Sequence, residues 1–276
     1  MKSFSLIALL LLGLAASTGR DAFWIAFASH MTKAAVDFAK ENNIGKIFLT
    51  QAVLTYKTLD EINSFNDYAY ENGVEVHFWV YCFYDDGEWL NPINTSTETY
   101  NQAVFDDIIA RGKKGLKLNH ISGLHLDYVR YAGTAYKYDY GEITGTKAVS
   151  EFVRQATKAW KEVNPKLTIS AAIMPEKTDG VYYYGQDVTV LGKYLDVIVP
   201  MAYKGNYYAG RSWIVSTCQW YAEKSEPAKV WCGLQTYESD DDPTPLSASE
   251  MNADVEACID GGLPAVAYFR YGLLNL

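Results

Sequence analysis

Apolar strand-like runs and periodic helix-like runs alternate along almost the whole of this sequence, and that alternation leaves few folds open. Strand signals lie near Phe23–Ala28, Lys46–Val53, Val74–Phe83, Ser122–Tyr131, Leu167–Ile173, Leu195–Tyr203, Val230–Thr236 and Ala265–Phe269. Between them the pattern predicts helices at about Thr32–Asn42, from Thr58 to Gly73, and at about Glu98–Lys114. Another carries Val149, Phe152, Val153, Ala156, Trp160 and Val163 at helical spacing; further helices run over about Ser212–Lys224 and from Ser247 to Gly261. Thr58 and Ser247 each precede a Glu by three residues, the spacing of a capping box. The segment between the fifth and sixth strands is short and rich in tyrosine, so its helix has the weakest signal. Eight strands in one alternating order predict an α/β fold, a single closed (β/α)8 barrel over residues 18–276. The chain has no room for a helix after Arg270, so that helix is missing or belongs to a longer parent. An open doubly wound sheet is the alternative, but no GxGxxG follows the first strand.

Residues 1–17 pair Lys2 with an apolar run over about Leu6–Leu14 and then small residues, the layout of a secretory signal. The run is too short to span a bilayer, so no membrane span is expected after cleavage and the location expected is secreted or cell-surface. The net charge of −9 disfavours nucleic acid and anionic membranes by repulsion. Of the four cysteines, Cys82, Cys218, Cys232 and Cys258, none forms a CxxC pair; one disulfide is possible after export, with its pairing open. The 22 Tyr and 7 Trp exceed what a core needs, and many sit in loops, where aromatic faces could meet sugar rings.

A parallel barrel gathers its strand carboxyl ends on one face, which is where catalytic groups are expected. The fourth strand, Gly123-Leu-His-Leu-Asp-Tyr-Val-Arg-Tyr131, delivers Asp127 to that face. His125 lies on the same side of the strand, and Arg130 and Tyr131 follow. The bland alternative is a buried Asp that only caps the next loop. Glu176 follows the fifth strand and Glu238 the seventh. A pair of carboxylates, one ionised and one protonated, is the equipment of glycoside hydrolysis. Arg130 favours Asp127 as the ionised member, with Glu176 as the acid and Glu238 as its rival. The run Asp240-Asp241-Asp242 reads as a solvated loop. Substrate contacts are expected from His125, Arg130, Tyr131, Tyr203, Gln235, Tyr237, Tyr268 and Arg270. Neither HxH, HExxH nor GxSxG occurs, so no metal, cofactor or serine elbow is expected.

The fourth strand and the sixth, Asp196-Val-Ile-Val-Pro-Met-Ala-Tyr203, resemble those of secreted glycoside-hydrolase-like TIM barrels, the glycosidase domains of microbial surface proteins distantly related to the α-amylase and α-galactosidase clan. That resemblance implies a sugar-cleaving site with Asp127 as nucleophile, an acid matching Glu176, and Tyr203 and Arg270 as substrate contacts. A fainter likeness to family 18 chitinases breaks down where Ser122, His125 and Val129 replace acids of the DGxDxDxE strand and Lys204 replaces the Asp of MxYD. Val129 stands where that family keeps its proton donor, so substrate-assisted chitinase chemistry is not expected. The chain is thus expected to be a secreted glycosidase acting on a cell-wall or extracellular polysaccharide. A catalytically inactive carbohydrate-binding barrel at the cell surface is the alternative.

Overall fold

The computed structural model describes residues 22–276; the expected export signal at 1–17 lies outside the described residues. Eight parallel strands close into a barrel: β1 (Ala22–Ile25), β2 (Lys46–Thr50), β3 (Glu75–Tyr81), β4 (Ile121–Asp127), β5 (Thr168–Ile173), β6 (Val197–Pro200), β7 (Lys229–Gln235) and β8 (Ala265–Phe269). Every barrel strand neighbours the next in sequence, and β8 pairs with β1 at Ala22↔Ala267, so the barrel itself has no open edge. The fold expected from the alternation is the one found, a (β/α)8 barrel.

Seven helices connect these strands on the outside: α1 (Lys33–Glu41), α2 (Leu59–Glu71), α3 (Gln102–Gly115), α4 (Gly145–Lys161), α5 (Asp179–Tyr184), α6 (Arg211–Lys224) and α7 (Ala248–Asp260), with single-turn segments at Val53–Tyr56 and Val188–Leu191. Thr58 caps α2 as expected, its hydroxyl accepting from the Glu61 N–H while the Glu61 carboxylate accepts from the Thr58 N–H. At α7 only half of the box forms. Ser247 accepts from the Glu250 N–H, but the Glu250 carboxylate turns to the Lys204 ammonium at 2.8 Å, because an ion pair is stronger than a neutral cap. After β8 the described chain holds a turn and no helix; Tyr271 stacks on Phe23, 5.1 Å between centroids.

Side-chain alternation divides the core in two. Leu124 and Leu126 point outward into the layer between strands and helices, while Trp24, Phe48, Trp79, Val199 and Trp231 fill the barrel interior. Phe48 and His125 stack there with centroids 4.0 Å apart and planes 8° from parallel, and Trp24 meets both edge-on. The barrel is therefore a packed column with a solid floor, and a ligand can enter only above it.

Cys218 of α6 is bonded to Cys232 of β7, which leaves Cys82 and Cys258 as buried thiols. The bridge closes a loop of 14 residues, for which the chain-entropy argument gives about 3 kcal/mol. Reducing it, or changing both residues to Ala, is expected to lower the denaturation midpoint by a stability loss of that order. An unchanged midpoint in urea would contradict the pairing.

Candidate active site

Asp127 is the last residue of β4, half-buried at the carboxyl mouth of the barrel. The next residue, Tyr128, has φ of +51°, a left-handed conformation that a bulky aromatic adopts only when its surroundings impose it. This turn points the Tyr128 N–H at the Asp127 Oδ1, 2.7 Å away. It also swings the Tyr128 ring between Tyr81, Tyr84 and Trp89.

Burial pushes the Asp127 carboxyl above the usual aspartate range, against the Tyr128 N–H, the Arg130 guanidinium and the Trp79 indole, which all favour the ionised form. The sequence suggested that Arg130 would favour the ionised Asp127; it does, but burial acts in the opposite direction and is the larger effect. Arg130 spends its charge on aromatic faces, 4.9 Å from the Trp89 centroid and 5.5 Å from that of Tyr184, and it acts on Asp127 less than burial does.

Two lobes of a cleft meet at this aspartate. The larger, about 710 Å³, is lined by Gln51, Trp79, Tyr81, Asp85, Arg111 and Arg270 among others. The smaller, about 250 Å³, is lined by Trp24, Arg130, Met174, Met201, Tyr203, Asn206, Tyr207 and Asp240 among others. Asp127, Tyr128 and Phe269 line both, and Asp127 is the carboxylate they share. In the larger lobe Asp85 is held by Arg111 at 2.7 Å, and the Tyr81 hydroxyl is hydrogen-bonded to Thr50 at 2.7 Å. In the smaller, Tyr203 stacks on Phe269, and its hydroxyl is pushed well above the usual phenol range by burial and then by Asp127.

Of the residues expected to contact substrate, Arg130, Tyr203 and Arg270 line the cleft. Gln235 and Tyr237 stand one layer behind it. The Gln235 amide donates to Asn206 Oδ1 at 3.0 Å, and the Tyr237 hydroxyl donates to Asp240 Oδ1 at 2.8 Å. Glu176 sits beside the smaller lobe, where its Oε1 accepts from the hydroxyls of Tyr207 (2.6 Å) and Tyr184 (3.2 Å).

Four residues are elsewhere. His125 shares the face of Asp127 as alternation requires, but two residues deeper, on the order of 6.6 Å below it along the strand. It is fully buried in the barrel core with its Nδ1 hydrogen-bonded to Ser170 at 2.8 Å, and burial drives its imidazole to the neutral form. Tyr268 has the opposite parity to Phe269 and packs among the helices. Tyr131 is buried against Tyr138, its hydroxyl donating to Asn91. Glu238 is exposed and lines neither lobe.

Asp240 is solvent-exposed, as expected of the acidic run, and it also borders the smaller lobe. Its Oδ1 accepts from Tyr237 and its Oδ2 from the Asn206 amide at 2.8 Å, while its own N–H donates to Asn206 Oδ1 at 2.8 Å. The signal for it was Tyr237 three residues before, but three consecutive aspartates conceal which one is fixed. Among the described residues no three His, Cys, Asp or Glu side chains are grouped to hold a metal ion, and no helix is long and apolar enough to cross a membrane.

A packed (β/α)8 barrel with carboxylates and aromatic rings around a cleft at its carboxyl end has the equipment for glycoside chemistry, though the fold itself serves many reactions. Residues 28–232 match the family described as "Putative glycosyl hydrolase domain", and the chain belongs to that family; it is a glycoside hydrolase by descent. Among curated proteins none matches it. Solved structures with the same fold include the glycoside hydrolase domain of PgaB (BpsB) from Bordetella bronchiseptica, at 11% identity and TM-score 0.71, covering 92% of this chain and 94% of that one. A class V chitinase from Pseudomonas fluorescens is 13% identical, with TM-score 0.63 and coverage of 93% and 96%. The endo-1,4-β-mannanase of Rhizomucor miehei is 11% identical, with TM-score 0.62 and coverage of 91% and 85%.

If His125 is core and not substrate contact, His125→Ala should cost on the order of 3 kcal/mol, as other buried rings do, and leave KM unchanged. A raised KM at unchanged stability would return it to the site.

Proposed function

We propose that this protein hydrolyses glycosidic bonds of an extracellular polysaccharide, with Asp127 as the proton donor. The observation that carries the reading is the position of Asp127: buried enough to hold its proton above the usual range, yet shared by both lobes of the cleft. A sugar chain lying across the two lobes would present its scissile oxygen to that carboxyl. The proton passes from Asp127 to the leaving oxygen as the bond to the anomeric carbon breaks.

The second carboxyl of the pair in this proposal is Asp240. It borders the lobe that Asp127 also borders, and its two oxygens accept from Tyr237 and Asn206, which fix it there. Glu176, the acid expected from the sequence, acts in this proposal by holding Tyr207 and Tyr184 at the rim. These assignments reverse the sequence roles, because burial at the strand end outweighs Arg130. The mannanase, chitinase and PgaB domain named above make a polysaccharide the substrate class to test first. Export to the cell surface or medium is part of the same proposal and rests on residues 1–17.

Asp127→Asn should remove hydrolysis by at least about 100-fold, the lower range for a general acid. It should also leave stability at neutral pH unchanged or slightly raised. A carboxyl whose folded pKa lies above its unfolded value stabilises the fold at low pH, and that contribution is lost as pH rises through the folded pKa. Full activity in that variant against a polymer the parent cleaves would end the proposal. Asp240→Asn should lose far more of kcat than Glu176→Gln; the opposite order would restore Glu176 to the pair.

Arg130→Ala removes a cation that favours the ionised Asp127. The alkaline limb of its kcat/KM profile should therefore move to higher pH. A fixed alkaline limb, with the acidic limb moved to higher pH instead, would mean that Asp127 works as the base.

A further inference from the structure

We propose that the exposed rings of Tyr136, Tyr182 and Tyr183 form a second carbohydrate-binding surface, a platform that grips the polymer outside the cleft. The identity of the ligand rests on the glycosidase reading; the platform itself rests on geometry. The three rings are 46%, 55% and 43% exposed and lie together, whereas exposed aromatic residues on a soluble surface normally occur singly. Tyr136 and Tyr182 stack with centroids 4.6 Å apart and planes 2° from parallel, and Tyr183 stands perpendicular to both. Stacking uses one face of each ring of the pair, and the Lys137 ammonium lies 5.9 Å from the Tyr136 centroid, so the exposed area of Tyr182 and Tyr183 is what the platform offers a partner.

The surface is rigid. Tyr182 and Tyr183 lie on α5, which ends at Gly185 in the left-handed conformation, φ +74°. A Cβ there would come within 3.1 Å of Val149 and 3.2 Å of the Gly145 carbonyl, so α5 lies tightly against α4. Gln186, 2% exposed, accepts from the Met174 N–H and donates to the Val129 carbonyl, tying the end of α5 to the exits of β5 and β4. A backbone held this way lowers the ordering cost of binding.

The platform is also continuous with the cleft. Tyr183 meets Tyr184 at 6.4 Å, Tyr184 lies under the Arg130 guanidinium at 5.5 Å, and Arg130 borders the smaller lobe beside Asp127. A chain leaving that lobe would pass from Tyr184 onto Tyr183 and Tyr182. Flat aromatic faces match the apolar faces of sugar rings, and an uncharged polymer suits a protein of net charge −9.

The test is affinity electrophoresis of the full chain through native gels containing glycol chitin or glucomannan, comparing parent, Tyr136→Ala/Tyr182→Ala and Tyr182→Trp. The parent should be retarded in at least one gel and the double variant about tenfold less strongly, the loss of roughly 1.4 kcal/mol. Tyr182→Trp should keep the retardation, which separates ring chemistry from misfolding. On the retarding polymer the double variant should lose hydrolysis, while its rate on short oligosaccharides stays at the parental value. Equal retardation of parent and double variant, no retardation of the parent in either gel, or a parental dimer that the double variant lacks in sedimentation would overturn the inference. Retardation of the parent with cleavage of neither polymer would keep the platform and count against the glycosidase reading instead.

Discussion

Burying one carboxyl at the end of a barrel strand is the constraint on which this site depends. A charged group leaving water for an apolar wall loses its solvation, and the cheapest response for a carboxyl is to keep its proton. Asp127 stands above a packed aromatic column, and Tyr128, held in a left-handed turn, offers its backbone N–H to the carboxyl. The strain at Tyr128 fits this account. It aims the peptide at Asp127 and sets the ring over the cleft with a single rotation of the chain.

The rest of the mouth is arranged in two rings around that point. Side chains that touch the cavity, such as Tyr203, Arg130 and Asn206, are backed by others that fix their rotamers. Gln235 and Tyr237 are the clearest examples, each spending a polar group on Asn206 or Asp240. Backing of this kind restricts the motion of the side chains that line the cleft, so the loop after β7 works as part of the scaffold even though much of it is solvent-exposed.

Much of this was legible in the sequence. Strand and helix periods gave the eight-stranded barrel, and the Thr58–Glu61 pair marked the start of α2. The fourth strand identified Asp127 as a residue of the cleft. Depth and parity were harder to read. His125 shares the face of Asp127, yet one layer of the barrel separates a cleft from a sealed core. Tyr268 could have been set aside by counting from Phe269, since neighbours on a strand face opposite sides. Asp240 could not be picked out, because nothing in a run of aspartates says which one a distant Asn206 will hold. The sign of the effect on Asp127 was also hidden: Arg130 is visible in the sequence, while burial is a property of the closed barrel.

The protonation of Asp127 is the most direct test. Carbon-13 labelling of the aspartate carboxyls, followed by NMR titration of the parent and of Asp127→Asn, isolates the one resonance that disappears in the variant. That resonance should titrate above the range of an ordinary aspartate, about 3.9. A midpoint at or below that value would show that Asp127 carries a full charge across the working range, and the proton-donor account would fail.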